Sequence, residues 1–211
     1  AIVGASGSGK TTLVKLMLGY YPADSGSIRI AGRKIGDYSL RWWRRQCGVV
    51  MQDGVIFSES IERNIAVGDG DIDKDKLEKA ARIACIHEYV MSLPLKYNTK
   101  IGRDGMGLSQ GQKQRILIAR AVYKDPSFIF LDEATNALDA KNERSIVENL
   151  AEFYRGRTVV VVAHRLSTVK DADQIIVIED GRIAEIGAHA ELIARKGAYY
   201  SLVKNQLELG Q

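Results

Sequence analysis

The sequence predicts an α/β fold: a mostly parallel sheet core in two chain segments, with an all-helical subdomain inserted between them. Three observations carry this. At both ends of the chain, short apolar runs of strand length alternate with stretches of helical spacing. The middle, from about Ser60 to Tyr123, has no convincing strand. The later runs Phe128–Leu131, Thr158–Val162 and Gln174–Ile178 are near-continuous in β-branched and aromatic residues, the pattern of strands buried on both faces of a parallel sheet.

Taken in order, Ala1–Val3 reads as a short strand, followed by a Gly/Ser loop and an apolar helix over Lys10–Leu18. Ser27–Ile30 and Gly48–Met51 read as strands. Between them, Arg41-Trp42-Trp43-Arg44-Arg45 interleaves cations and aromatics. That pattern suits bases stacked on rings, or, as the plainer reading, a partly buried amphipathic helix. Leu77, Ala80, Ala81 and Ala84 share one helical face, and Leu93-Pro94 ends that run. Ala140–Phe153 reads as a charged helix, and Ala188–Leu209 as two helices around Gly197. No repeat or low-complexity segment interrupts the pattern.

The composition bounds the function classes. With 211 residues, 45% hydrophobic and 27% charged, the chain can bury a core without staples. Disorder is excluded for the whole. So is a membrane-spanning helix within the chain, since apolar stretches such as Val159–Ala163 fall far short of the roughly 20 residues a span needs. The net charge of +4 comes without a long basic run and does not by itself point to nucleic acid. Cys47 and Cys85 stand far apart and read as ordinary reduced thiols. His87 and His189 have no metal-ligand partners at useful spacing and are expected at the surface, and Tyr199-Tyr200 is expected to pack the terminal helix. The chain carries no signal peptide and no initiator Met, and Ala1-Ile2-Val3 reads as the end of a strand. The expectation is a fragment whose first strands lie upstream.

Gly4-Ala5-Ser6-Gly7-Ser8-Gly9-Lys10-Thr11 fits G-x-x-x-x-G-K-[ST] between a strand and a helix, the context that gives the motif meaning. Glycines let several N–H groups turn inward toward phosphate oxygens. The helix start adds its positive dipole end. Lys10 supplies a point charge and Thr11 a hydroxyl for Mg²⁺. Downstream, the strand Phe128–Leu131 runs into Asp132-Glu133. In isolation such a pair could be an N-cap or a solvated acid. Beside a phosphate loop, Asp132 suits Mg²⁺ and Glu133 suits the deprotonation of an attacking water.

A second anion surface is suggested by Leu108-Ser109-Gln110-Gly111-Gln112. Ser109 and Gln112 form an S-x-x-Q capping box ahead of an apolar-periodic helix that includes Ile116, Ala119, Arg120 and Tyr123. Gly107 and Gly111 would let another molecule approach the exposed N–H groups. One chain with two phosphate surfaces suggests that they meet across a dimer.

These residues resemble the ATP-binding domain of ABC transporters over essentially the whole chain. Gly4–Thr11 resembles Walker A, Gln52 the Q-loop glutamine, Leu108–Gln112 the LSGGQ signature, and Phe128–Glu133 Walker B. Asn136-Ala137-Leu138-Asp139 resembles the D-loop and His164 the switch histidine. The stretches Val49–Asp53, Phe57–Ile65 and Gly181–His189 are similar to exporters, and Asp132–Asp139 to bacterial peptide and bacteriocin exporters, some with an N-terminal cysteine peptidase.

The resemblance implies a P-loop NTPase fold of RecA type, with residues 1–58 and 126–211 as the ATPase core and 59–125 as the helical signature subdomain. It implies ATP and Mg²⁺ as ligands. Gly4 to Thr12, Ser109, Gln110, Gly111, Gln112 and Asp139 would meet nucleotide. Thr11, Gln52 and Asp132 would hold the metal, and Glu133, His164 and Gln52 would serve catalysis. The implied partners are a second copy of the domain and a transmembrane domain encoded upstream, at the cytoplasmic face of the inner membrane, with no nucleic acid. Gln110 departs from the family's first signature glycine, Asn136 from its D-loop Ser, and Arg103 from the Glu of the exporters' V-G-E-x-G. The family's adenine-stacking aromatic would lie upstream of Ala1. Two other readings remain: a soluble ABC-type ATPase acting on nucleic acid or ribosomes, and a non-hydrolysing regulatory module.

Overall fold

The computed structural model describes residues 1–68, 70–132, 140–163 and 169–209, with backbone alone over 140–144 and 206–209. The strands are β1 (Ile2–Val3), β2 (Arg29–Ile30), β3 (Arg33–Lys34), β4 (Cys47–Val50), β5 (Phe128–Asp132), β6 (Thr158–Val162), β7 (Ile175–Glu179) and β8 (Arg182–Gly187). The helices are α1 (Lys10–Met17), α2 (Leu40–Gln46), α3 (Ile61–Ile65), α4 (Lys74–Ile83), α5 (His87–Ser92), α6 (Gln110–Tyr123), α7 (Ala140–Tyr154), α8 (His189–Arg195) and α9 (Ala198–Leu209).

A six-stranded sheet runs in the order β4-β5-β6-β1-β7-β8. β1 is parallel to both β6 and β7, and β8 closes the edge antiparallel to β7. The fold is the expected α/β class, and the expected strands fall within a residue or two of their places. One differs in company: Ser27–Ile30 shrinks to β2, which pairs antiparallel with β3 in a separate two-stranded sheet. β3 and β8 have no counterpart in the sequence reading. Both follow two-residue turns, Ala31-Gly32 and Asp180-Gly181, in which both residues have positive φ. That is the geometry that matches hairpin twist, and Asp-Gly is its strongest sequence signal.

The chain divides into two compact units, one of residues 1–44, 130–133 and 160–211 and the other of residues 45–129 and 134–159. In the first, Val3, Ala163, Val169, Ile175, Val177, Leu192, Tyr199 and Val203 form a continuous core between strands and the terminal helices. Trp43 is buried here. Its indole N–H donates to the Met17 carbonyl at 2.9 Å, and its ring meets Phe130 edge-on at 6.5 Å. The plainer reading of the Arg/Trp helix holds for this residue. Trp42 is exposed and stacks on Tyr38 at 4.8 Å.

In the second unit, α4 packs on α6, and α3 on the same helix. Leu77, Ala80, Ala81 and Ala84 are all buried, as their spacing predicts. That run does not last to Leu93-Pro94: α4 ends at Ile83, Cys85 takes a φ of 52°, and the separate α5 stops at Ser92, where Leu93 turns extended ahead of Pro94. Expectations fail at three further places. His87 is buried, not superficial: Tyr97 Oη lies 2.8 Å from Nδ1 and Arg82 Nη2 lies 3.0 Å from Nε2, so polar partners make its burial tolerable. His189, in the first unit, is half-buried with Nδ1 2.9 Å from the hydroxyl of buried Tyr199. β6 is half-buried over Val159–Val161 rather than enclosed on both faces.

Candidate nucleotide-binding site

The turn from β1 into α1 is built by backbone torsion. Gly4, Gly7 and Gly9 take φ of 155°, 79° and 102°, values costly for any other residue. Gly4 is also required by contact, because a Cβ there would lie 2.2 Å from the Ile178 carbonyl oxygen. The loop closes on itself through Ser8 N–H to the Ala5 carbonyl at 3.2 Å. It is tied to the β7–β8 turn through Gly181 N–H to the Ser8 carbonyl at 3.1 Å.

Ala5, Ser6 and Gly7 are exposed at the tip, whereas Ser8 and Lys10 are buried beneath it. The Lys10 ammonium donates to the Gly4 and Ala5 carbonyls at 2.9 and 2.7 Å. The Ser8 hydroxyl is buried and, among the described residues, has no hydrogen-bond partner, which leaves a group seeking one beneath the loop. Both features fit a phosphate cradle. Thr12 is exposed on the first turn of α1.

The sequence separates Thr11 from Asp132 by 121 positions, and the fold joins them: Thr11 Oγ1 donates to Asp132 Oδ2 at 2.8 Å. Asp132 is 1% exposed at the end of β5. A hydroxyl beside a buried carboxylate is a hard-oxygen pair suited to Mg²⁺, which completes its shell with phosphate and water rather than with a protein cage. The described residues contain no cluster of three or more His, Cys, Asp or Glu side chains placed to hold a metal.

In the other unit, Ser109 caps α6 as its spacing predicts. Gln112 N–H donates to Ser109 Oγ at 3.2 Å, and Ser109 N–H donates to Gln112 Oε1 at 2.8 Å. Ser109 and Gln110 are exposed and Gly111 is half-buried, so this helix start is open to solvent. Gln52 is exposed in the turn that leaves β4. Gly54 then lies so close to α6 that a Cβ would fall 2.2 Å from Leu117 Cδ1. Sequence reasoning missed two residues here. Asn64 is fully buried and Arg120 half-buried, and together they bind the backbone between Val55 and Ser60. Only Arg120 carried a signal, as a cation that interrupts the apolar face of α6; the burial of Asn64 is decided by packing. Glu133, Asp139 and His164 lie outside the described residues.

Gly-rich strand–loop–helix geometry on this sheet, with a buried lysine and a threonine–aspartate pair beneath it, defines a P-loop nucleotide-binding protein. A family model described as ABC transporter matches residues 1–136. The chain is 47% identical over 208 residues to the Toxin RTX-I translocation ATP-binding protein of Actinobacillus pleuropneumoniae, covering 98% of this chain and 29% of that protein. It is 45% identical over 206 residues to ATP-binding cassette sub-family B member 5 of Homo sapiens, covering 98% of this chain and 16% of that protein. A solved bacterial Atm1-family ABC exporter with ATP bound matches at a TM-score of 0.92 and 39% identity, over 97% of this chain and 36% of that one. The chain belongs to the ABC transporter family, as an ATP-binding domain of the exporter type. It spans less than a third of the length of these curated relatives.

Proposed function

We propose that this chain is the ATP-hydrolysing motor of an ABC exporter. The observation that carries this reading is the phosphate loop with Lys10 buried beneath it and Thr11 joined to Asp132 at 2.8 Å. Two copies would enclose two ATP molecules head to tail. Gly4 to Thr12 of one copy would receive the phosphates, while Ser109, Gln110, Gly111 and Gln112 of the other would present the open start of α6 to the same γ-phosphate. Glu133 would take the proton of the attacking water, His164 would hold the γ-phosphate and that base in register, and Asp139 would bridge the two sites. Thr11, Asp132 and Gln52 would hold Mg²⁺, which when bound neutralises developing phosphate charge. The chain's own contribution is positioning and fixed dipoles.

The helical segment 59–125 would act as the signature-bearing subdomain and the remainder as the ATPase core. The Gln52 segment would transmit closure to a membrane domain in the same transporter, at the cytoplasmic face of the membrane. Exposed Val55 and Phe57 beside it support a partner-facing loop. No helix among the described residues is long and apolar enough to cross a membrane, so spanning segments would belong to that partner domain. A peptide or protein cargo is supported by the toxin- and leukotoxin-translocating names among the relatives.

The test is the Glu133→Gln variant, in which ATP would bind and persist. Light scattering at saturating Mg-ATP should report a dimer, reverting to monomer without nucleotide. A monomer under both conditions would sink the sandwich arrangement.

A further inference from the structure

One guanidinium grips the segment that follows Gln52 from the side of α6. Arg120 lies in the last turn of that helix. Its Nε donates to the Asn64 carbonyl at 2.7 Å, Nη1 to the Val55 carbonyl at 2.9 Å, and Nη2 to Asn64 Oδ1 at 3.2 Å. The guanidinium carbon also sits 5.0 Å from the centre of the Phe57 ring. Asn64 extends the grip. Its Oδ1 accepts from Phe57 N–H at 2.8 Å, and its Nδ2 donates to the carbonyls of Phe57, Glu59 and Ser60 at 3.0, 3.3 and 3.1 Å. Four backbone positions of one loop are thus held by two side chains.

The arrangement is a poor way to gain stability. Among the described residues the hydrogen-bond acceptors of Arg120 are neutral carbonyl and amide oxygens, and none is a carboxylate. Burial pushes its pKa down to about 10. A half-buried cation whose described partners are all neutral costs folding energy that an apolar side chain of similar length would not. What a guanidinium supplies instead is direction: a rigid planar fork that fixes several acceptors relative to one another. The outer side of the gripped loop displays Val55 and Phe57, 60% and 45% exposed. The far end of α6, about 16 Å away at 1.5 Å per residue, is the Ser109 cap.

We propose that Arg120, acting through Asn64, is a positioning residue that couples the Gln52 segment to the helix capped by Ser109. A displacement at Val55 and Phe57 is then delivered to the cap as movement of one rigid body. The consequence for turnover rests on the ATPase reading above. The tie itself does not.

The experiment uses the whole 211-residue chain and two variants, Arg120→Met and Arg120→Lys. Amide hydrogen exchange and steady-state ATP hydrolysis are read on each. In Arg120→Met, exchange over residues 55–64 should rise at least about tenfold while residues 4–11 keep wild-type protection. kcat should fall about 10- to 100-fold, with KM within about twofold of wild type. Arg120→Lys keeps the charge without the fork and should move both readouts the same way by less. Wild-type exchange over 55–64 in the variants would overturn the tie. Raised exchange with unchanged kcat would reduce it to packing. If Arg120→Met does not fold, Arg120→Lys carries both arms. If the wild type shows no hydrolysis that depends on Lys10, the ATPase reading fails separately, and the exchange arm still decides the tie.

Discussion

The phosphate loop and the Ser109 cap each begin a helix, by different means. The loop is a backbone device. Three glycines at positive φ shape its turn, and its side chains are anchored underneath, with Lys10 on two loop carbonyls and Thr11 on Asp132. The cap is a side-chain device. Ser109 and Gln112 exchange hydrogen bonds across four residues, and no strained torsion is needed, since Ser109 sits at φ −64° and ψ 160°. The first needs torsions that glycine alone adopts at little cost. The second rests on two hydrogen bonds between backbone N–H groups and side-chain oxygens, at a helix start exposed to solvent.

That contrast can be broken at several places. The largest effect is expected at the charge. Lys10→Ala should reduce phosphate release by about 100- to 1000-fold, as loss of a pre-aimed electrostatic donor does, with the domain still folded by circular dichroism. Next come the glycines, which separate torsion from contact. Gly4→Ala meets both a φ of 155° and the Ile178 carbonyl oxygen, and should lower unfolding free energy in urea by about 2–4 kcal/mol. Gly7→Ala meets open space at φ 79° and should cost only about 1–2 kcal/mol. Equal costs would mean that the loop is held by torsion alone.

Ser109→Ala removes the cap and should destabilise by about 1 kcal/mol, with Ser109→Asp restoring the stability. A loss of several kcal/mol would show the cap to matter as much to stability as the loop's torsions. The smallest effect is expected away from both sites. Glu185 Oε2 accepts from Tyr199 N–H at 2.7 Å, holding the start of α9 from strand β8. Glu185→Gln should cost about 0.3–1 kcal/mol by chemical denaturation, the usual worth of a carboxylate at a helix N-terminus.

Much of this was legible from residue order. Local rules suffice for the glycine loop, the S-x-x-Q box and the buried face at Leu77, Ala80, Ala81 and Ala84, because each is settled within a few residues of itself. The Asp180-Gly181 hairpin was equally local and went unread, because the apolar pattern of β8 is weak: its residues are mostly exposed. His87 was misjudged for the opposite reason. Its partners Arg82 and Tyr97 are close in the chain, but only the packing of α5 makes burial affordable.

The sequence by itself therefore determined the α/β class, the phosphate loop, the capped helix and the family, since torsional preference, periodicity and motif spacing are properties of short windows. Tertiary structure alone decided which distant groups meet. It joined Thr11 to Asp132, seated Gly4 against Ile178, turned Trp43 toward Met17 and Phe130, and closed Arg120 over Asn64 and Val55. Such contacts depend on how strands and helices stack around a core, and a hydrogen bond between residues 121 positions apart leaves no mark in the spacing of either.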